Sequence, residues 1–362
     1  MKKIIILIFV LTLMQMFLVP IKAHCEYEDR KDEISEELDN ILSDNGTGFS
    51  VKDIDDMTFS SLSERLKNTV AEKLLMPFHV LKLLLIVIIL TSLLRRLGEG
   101  ILDSGNKMYD LICVLTSVTV ISAPIIEVYK NSMAVIERTG SFMTVFVPVF
   151  TGITVASGGV LTGSFYSFTI LGATEVFIAL AGSFLMPLLN ISIVLSISGS
   201  VFRTSSNAEL MACIRKIITW GLTIFISLFI GFIMLKSNIT ASSDGAATKT
   251  VKTLISGFVP VVGSSVSDAY STVKASFGII RSTAGTAGCL AIIFMMMPPV
   301  IEIIVYRAII CIIVFLAEIM SADPIVALLK GIDGGLAIAQ SVLVSYTVML
   351  TLSTAIIIQQ FG

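Results

Sequence analysis

Phe146-Val147-Pro148-Val149 returns further along the chain as Phe258-Val259-Pro260-Val261, and its surroundings return with it. Shifted by the same interval, Pro187 falls on Pro299, Ala173-Thr174 on Gly285-Thr286 and Asn190 on Glu302. Two residues of slippage then place Gly221-Leu222-Thr223-Ile224 on Gly335-Leu336-Ala337-Ile338. Apolar tetrapeptides recur by chance in so hydrophobic a chain, but prolines matched on both sides of an apolar block do not do so readily. The pattern predicts an internally duplicated chain with two parallel copies, a construction common among membrane transport proteins.

Lipid is the expected solvent for most of it. Of 362 residues, 55% are hydrophobic and 14% charged, against about 25% charged in ordinary soluble domains. The formal net charge of -2 conceals a segregation, because residues 24–73 carry 14 of the 27 acidic side chains. That predicts a separate aqueous segment, and nothing in the charge pattern suggests a nucleic-acid partner. Met1-Lys2-Lys3, an apolar run over 4–19 and Pro20-Ile21-Lys22-Ala23 read as a cleavable signal peptide over residues 1–23. Left uncleaved, the same run would act as an anchor. The five cysteines are scattered and offer neither a metal spacing nor a disulfide framework.

The predicted architecture is an all-α polytopic membrane protein. Residues 24–73 form a small acidic, extracytoplasmic helical region, and residues 74–130 hold two leading membrane helices, the first containing Lys82 and closed by Arg95-Arg96. Residues 131–240 and 241–362 are the two repeat units. Like-facing copies need an even number of crossings each, and four is the expected count. These would run over 141–160, 166–186, 188–202 and 217–235 in the first unit, and over 254–267, 286–297, 300–319 and 335–358 in the second. Several are shorter than the about 20 residues a crossing helix takes, which predicts half-helices or re-entrant segments. This layout puts Arg95, Arg96, Lys107, Arg203, Arg215, Lys216, Lys274, Arg281 and Lys330 inside and Lys130, Arg138, Lys236, Lys249 and Lys252 outside. The alternative count of three, in which the Phe-Val-Pro-Val segments only dip into the bilayer, fits the positive-inside rule less well.

Candidate functional residues follow from the same pattern. A proline removes a backbone donor and disfavours helix in the residue before it, so Pro148 and Pro260 are expected to break or kink their helices. Small and polar residues follow each, among them Gly152, Ser157, Gly158 and Gly159 in one copy and Gly263, Ser264 and Ser265 in the other. They suit either close helix packing or a permeation path and gate. Pro187 and the pair Pro298-Pro299 interrupt apolar runs and are candidate turn or kink points of helical hairpins. Asn190, Glu302, Arg307 and Glu175 are polar or charged within apolar runs, where such groups usually face a bundle interior or water. Glu302 and Arg307 read equally as an internal pair or a functional site. No phosphate loop is present, and His24 and His79 are the only histidines. A nucleotide-driven pump, a zinc hydrolase and a serine-type hydrolase are therefore not expected, and no cofactor is implied.

Taken together, the leader, the acidic segment, the Lys82 span closed by Arg95-Arg96 and the second-copy stretch Phe258-Val259-Pro260-Val261-Val262-Gly263-Ser264-Ser265-Val266-Ser267-Asp268-Ala269 resemble the stage III sporulation protein AE family. That resemblance implies a non-enzymatic, multi-pass protein of the mother-cell membrane around the forespore. It further implies a place in a channel-like apparatus between the two cells, with ring-forming subunits and a secretion-type ATPase as partners. A stand-alone secondary transporter with Asn190, Glu302 and Arg307 at its midplane, or a purely structural anchor, are the competing readings.

Overall fold

The computed structural model describes residues 77–90, 92–93, 103–202, 205–258 and 263–359. The expected leader, the whole acidic segment, Arg95-Arg96 and Pro260 lie outside those residues. Every described element is helical: α1 (Pro77–Leu90), α2 (Asp103–Ala156), α3 (Val160–Leu180), a π-helical turn (Ala181–Leu185), α4 (Met186–Phe202), α5 (Ser205–Phe258), α6 (Gly263–Ile319) and α7 (Asp323–Gln359). Among the described residues, five helical segments are long and apolar enough to cross a membrane.

Prolines do not divide these helices as the sequence suggests. Pro148 lies inside α2, which continues to Ala156, and Pro124 lies inside it as well. Pro298 and Pro299 lie inside α6, so the spans expected over 286–297 and 300–319 are one helix. The spans expected over 166–186 and 188–202 are likewise joined without a turn, through the π-helical segment that ends at Leu185, two residues before Pro187. A proline deletes one backbone bond and crowds the carbonyl four residues back, and a wider i→i+5 turn just before it relieves both. In a long apolar helix the neighbouring turns and flanking helices hold the rest, so the proline marks a local irregularity and no hairpin.

Side-chain contacts fix how the helices run. Asp244 of α5 meets Leu161 at the start of α3, Lys274 of α6 meets Thr248 of α5, and Tyr166 of α3 meets Thr354 of α7. These contacts define a near end of the bundle. At the far end Gly331 of α7 lies against Ser196 of α4, and Lys330 pairs with Glu318 of α6. Hence α2, α5 and α7 run toward the near end, while α3–α4 and α6 run away from it. The end of α4 at Phe202 and the end of α6 at Ile319 lie together at the far end. Within the expected first unit the chain makes three helical passes instead of four, the end of α2, α3–α4 and α5, and within the second it makes two, α6 and α7, after the end of α5. Lys274 and Arg281 also share the near end with Lys249 and Lys252, contrary to the expected division of those basic residues.

Aromatic side chains at helical spacing build the core between α2 and its neighbours. Phe142, Phe146 and Phe150 stack in succession with centroids 5.3 and 5.6 Å apart, and Phe150 meets Tyr166 edge-on at 5.2 Å. Gly285 and Gly288 of α6 make room for them, since a Cβ at Gly288 would overlap the Phe146 ring and one at Gly285 would meet Phe150. In the first Phe-Val-Pro-Val element Phe146 and Val147 are therefore buried, whereas Pro148 is exposed on the outside of the bundle. Close approach of helices at small residues is the packing mode expected where lipid supplies no hydrophobic drive between them.

Candidate functional site: a polar layer at an interrupted helix

The break between α2 and α3 falls at Ser157-Gly158-Gly159, nine or more residues beyond Pro148. Gly158 has φ +91°, a left-handed conformation that favours glycine. Its N–H donates to Val155 O at 2.9 Å and that of Gly159 donates to Thr154 O at 3.0 Å. This pairing of a 5→2 and a 6→1 bond around a left-handed residue is a Schellman stop. It satisfies carbonyls of the last turn of α2, and Ser157 Oγ donates to Thr154 O at 2.7 Å.

The start of α3 has the opposite problem. Gly159 occupies its N-cap and supplies no side-chain acceptor, so the first N–H groups need one from elsewhere. Asp244, 3% exposed, provides it from α5. Its carboxylate accepts from Leu161 N at 3.0 Å, from Thr162 N at 2.9 Å and from Thr162 Oγ1 at 2.8 Å. A carboxylate at a helix N-terminus also opposes the positive end of the helix dipole.

Two cations of α6 face the other broken end. Lys274 Nζ donates to Thr248 Oγ1 at 2.9 Å, and its Cε lies 3.0 Å from where a Cβ on Gly158 would sit. Arg281, only 1% exposed, directs Nη1 toward Ser157 Oγ at 3.4 Å. Cations beside the last turn of α2 complement its negative end. One residue layer thus joins four helices: the end of α2, the start of α3, Asp244 of α5, and Lys274 with Arg281 of α6. Deeper in the bundle, Tyr166 and Thr354 share a buried hydroxyl contact of 3.0 Å, and Cys289 Sγ lies 3.7 Å from Thr351 O. Removing Asp244 would release three donors of one helix start together.

The residues singled out from sequence take other places. Arg307 pairs with Asp333 of α7 at 2.8 Å and also donates to Gln340, so its partner is not Glu302. Glu302 and Arg307 are half-buried. Arg307 lies 26 positions beyond Arg281 on the same helix, about 39 Å along its axis. It therefore belongs to a second polar level, remote from the helix break. Glu175, Asn190 and Pro187 are exposed on the outer face of α3–α4, Pro298 is half-buried and Pro299 is buried. None of these seven, nor Pro148, lies in the layer around Ser157, whereas Ser157, Gly158 and Gly159, noted in the sequence as the small residues after Pro148, form its centre. Asp244, Lys274 and Arg281 lie there too, yet sequence spacing does not bring them together, because Asp244 meets Thr162 across 82 residues and Arg281 meets Ser157 across 124. The available signal was the Ser157-Gly158-Gly159 stop itself, followed by a helix start with no capping side chain of its own.

Long apolar helices around buried polar levels define a polytopic α-helical membrane protein. The chain belongs to the stage III sporulation protein AE family, whose model matches residues 47–360. It is 25% identical over 223 residues to stage III sporulation protein AE of Bacillus subtilis (strain 168), a stretch covering 62% of this chain and 56% of that protein. The chain thus spans little more than half the length of that relative. No solved structure matches it.

Proposed function

We propose that this protein is a membrane-embedded, channel- or permease-like component of the apparatus that joins mother cell and forespore, without catalytic activity of its own. The family supports the sporulation setting, and partners of the same stage, including ring-forming subunits and a secretion-type ATPase, belong to the proposal. The observation that carries the transport reading is the charged layer at the turn between α2 and α3. Ser157 and Thr162 on its two sides are buried and complemented by buried Arg281 of α6 and Asp244 of α5, and charges inside a membrane bundle usually pair there or mark a polar pathway.

The shared far end of α4 and α6 and the matched prolines support descent of the two halves from one duplicated segment. We assign the far end, where α2 begins, to the mother-cell cytoplasm, because a leader that exports the acidic segment leaves α1 to cross inward before α2 crosses back. The near end and the acidic segment then face the space between the two membranes, and residues 1–23 act as the leader. The pairing of Arg307 with Asp333 leaves less support for a solute site built on Asn190, Glu302 and Arg307.

A chromosomal Asp244→Ala variant tests the proposal. Membrane insertion should persist, and at matched amounts of inserted protein late forespore gene expression and spore yield should fall steeply. Normal spore yield from an inserted variant would contradict a transport role for the layer.

A further inference from the structure

The outer faces of the bundle are not alike. The exposed positions of α5 between Ile217 and Leu235 include Trp220, Ile224 and Leu228, large apolar side chains that suit lipid. The outer strip of α2 instead exposes Glu137, Arg138, Ser141, Thr144, Pro148 and Gly152 around Val145. Beside it, the outer face of α3 exposes Gly172 and Glu175 together with Phe168 and Val176. Charges on the outside of a membrane span are costly in lipid, and small residues there favour contact with another helix. Glu137, Arg138 and Glu175 make no ion pair among the described residues.

Their placement is self-complementary. Gly140 of α2 lies against Thr174 and Ile178 of α3, so Glu137 and Arg138, within one turn of Gly140, stand level with Glu175. Helix α2 meets α3 through Gly140, Thr151 and Val155, and meets α6 through Phe146 and Phe150. At 100° per residue, Glu137 falls on the α3 edge of the outer strip and Arg138 on the opposite edge. Glu175 falls on the α2 edge of its own helix. A two-fold axis parallel to the bundle leaves every residue at its level and exchanges the two edges.

We propose that this face is the contact between two copies of the protein, with α2 against α2 and Arg138 of each copy reaching the Glu137–Glu175 pair of the other. Ser141, Pro148 and Gly152 lie at the centre of the strip, where small side chains let the two helices approach. The second copy is favoured over an unrelated partner because this strip carries both signs of charge at one depth, arranged so that the symmetry pairs them.

Full-length protein in nanodiscs or mild detergent, labelled for energy transfer between copies, supplies the test. Wild type should be a dimer. Arg138→Glu alone, and Glu137→Lys with Glu175→Lys, should each weaken self-association about tenfold or more. Mixed together, those two variants should pair as tightly as wild type, because each then meets opposite charge; that recovery would also establish that both are folded. Ser141→Leu, which keeps every charge, should weaken the dimer too. Monomeric wild type, unaltered association of the charge variants, or two folded variants that do not combine would each overturn the proposal. The transport role is read separately from spore yield, so either conclusion can fail while the other stands.

Discussion

Two turns in this protein share one backbone geometry and differ in nearly everything around it. At Ser157-Gly158-Gly159 and at Met320-Ser321-Ala322 the chain leaves a helix through the same 5→2 and 6→1 hydrogen bonds, the second formed by Ser321 N to Glu318 O at 3.1 Å and Ala322 N to Ala317 O at 2.9 Å. The left-handed position is Gly158 in one and Ser321, with φ 56°, in the other. Around Gly158 buried Asp244 and Arg281 and half-buried Lys274 converge from two other helices. Around Ser321 the nearby charges are Lys330 and Glu318, paired at 2.7 Å with side chains 61% and 49% exposed. A Schellman stop is thus a generic way to end a helix. The remote charges, and not the turn, set the near-end break apart.

Four substitutions sharpen that contrast. The largest effect should come from Asp244→Ala, which leaves a buried N–H, a partly buried N–H and a buried hydroxyl without their acceptor and should cost about 2 kcal/mol or more. Thermal melting of the purified full-length protein reads this, and a loss below 0.5 kcal/mol, on the order of an exposed surface contact, would remove the distinction between the turns. Gly158→Ala forces a side chain into left-handed backbone beside Lys274, so a cost of about 1–2 kcal/mol is expected. In the other turn the sign reverses. Ser321→Gly relieves the same backbone penalty and should raise stability by up to about 1 kcal/mol, read as an upward shift of the melting temperature. Lys330→Ala should change stability by no more than about 0.5 kcal/mol, because an exposed pair is well solvated.

Much of the architecture was legible in the sequence, and the part that was not has a physical reason. Apolar runs marked the spans, since lipid demands them. Proline positions were misleading as boundaries, because a helix in a bundle can lose one bond at Pro148, Pro187 or Pro298-Pro299 and continue. Glycine in the Ser157-Gly158-Gly159 stop was the better signal, for only a positive φ there completes the turn. Glu302, Arg307 and Glu175 stood out as charges within apolar runs, but a charge seen in one dimension does not name its partner. Arg307 found Asp333 on the next helix, and Glu175 faces outward. Asp244 drew no attention amid the serines and threonines of 237–250, although its carboxylate caps a helix that starts more than 80 residues earlier.

Comparing exchange in wild type and Asp244→Ala separates a cap from a bystander most directly. In peptide-resolved hydrogen exchange on full-length protein, the amides over 160–163 should exchange about tenfold faster or more in the variant, while those over 320–326 keep their wild-type rates. Unchanged protection over 160–163 would contradict the claim that Asp244 holds the start of α3 in place.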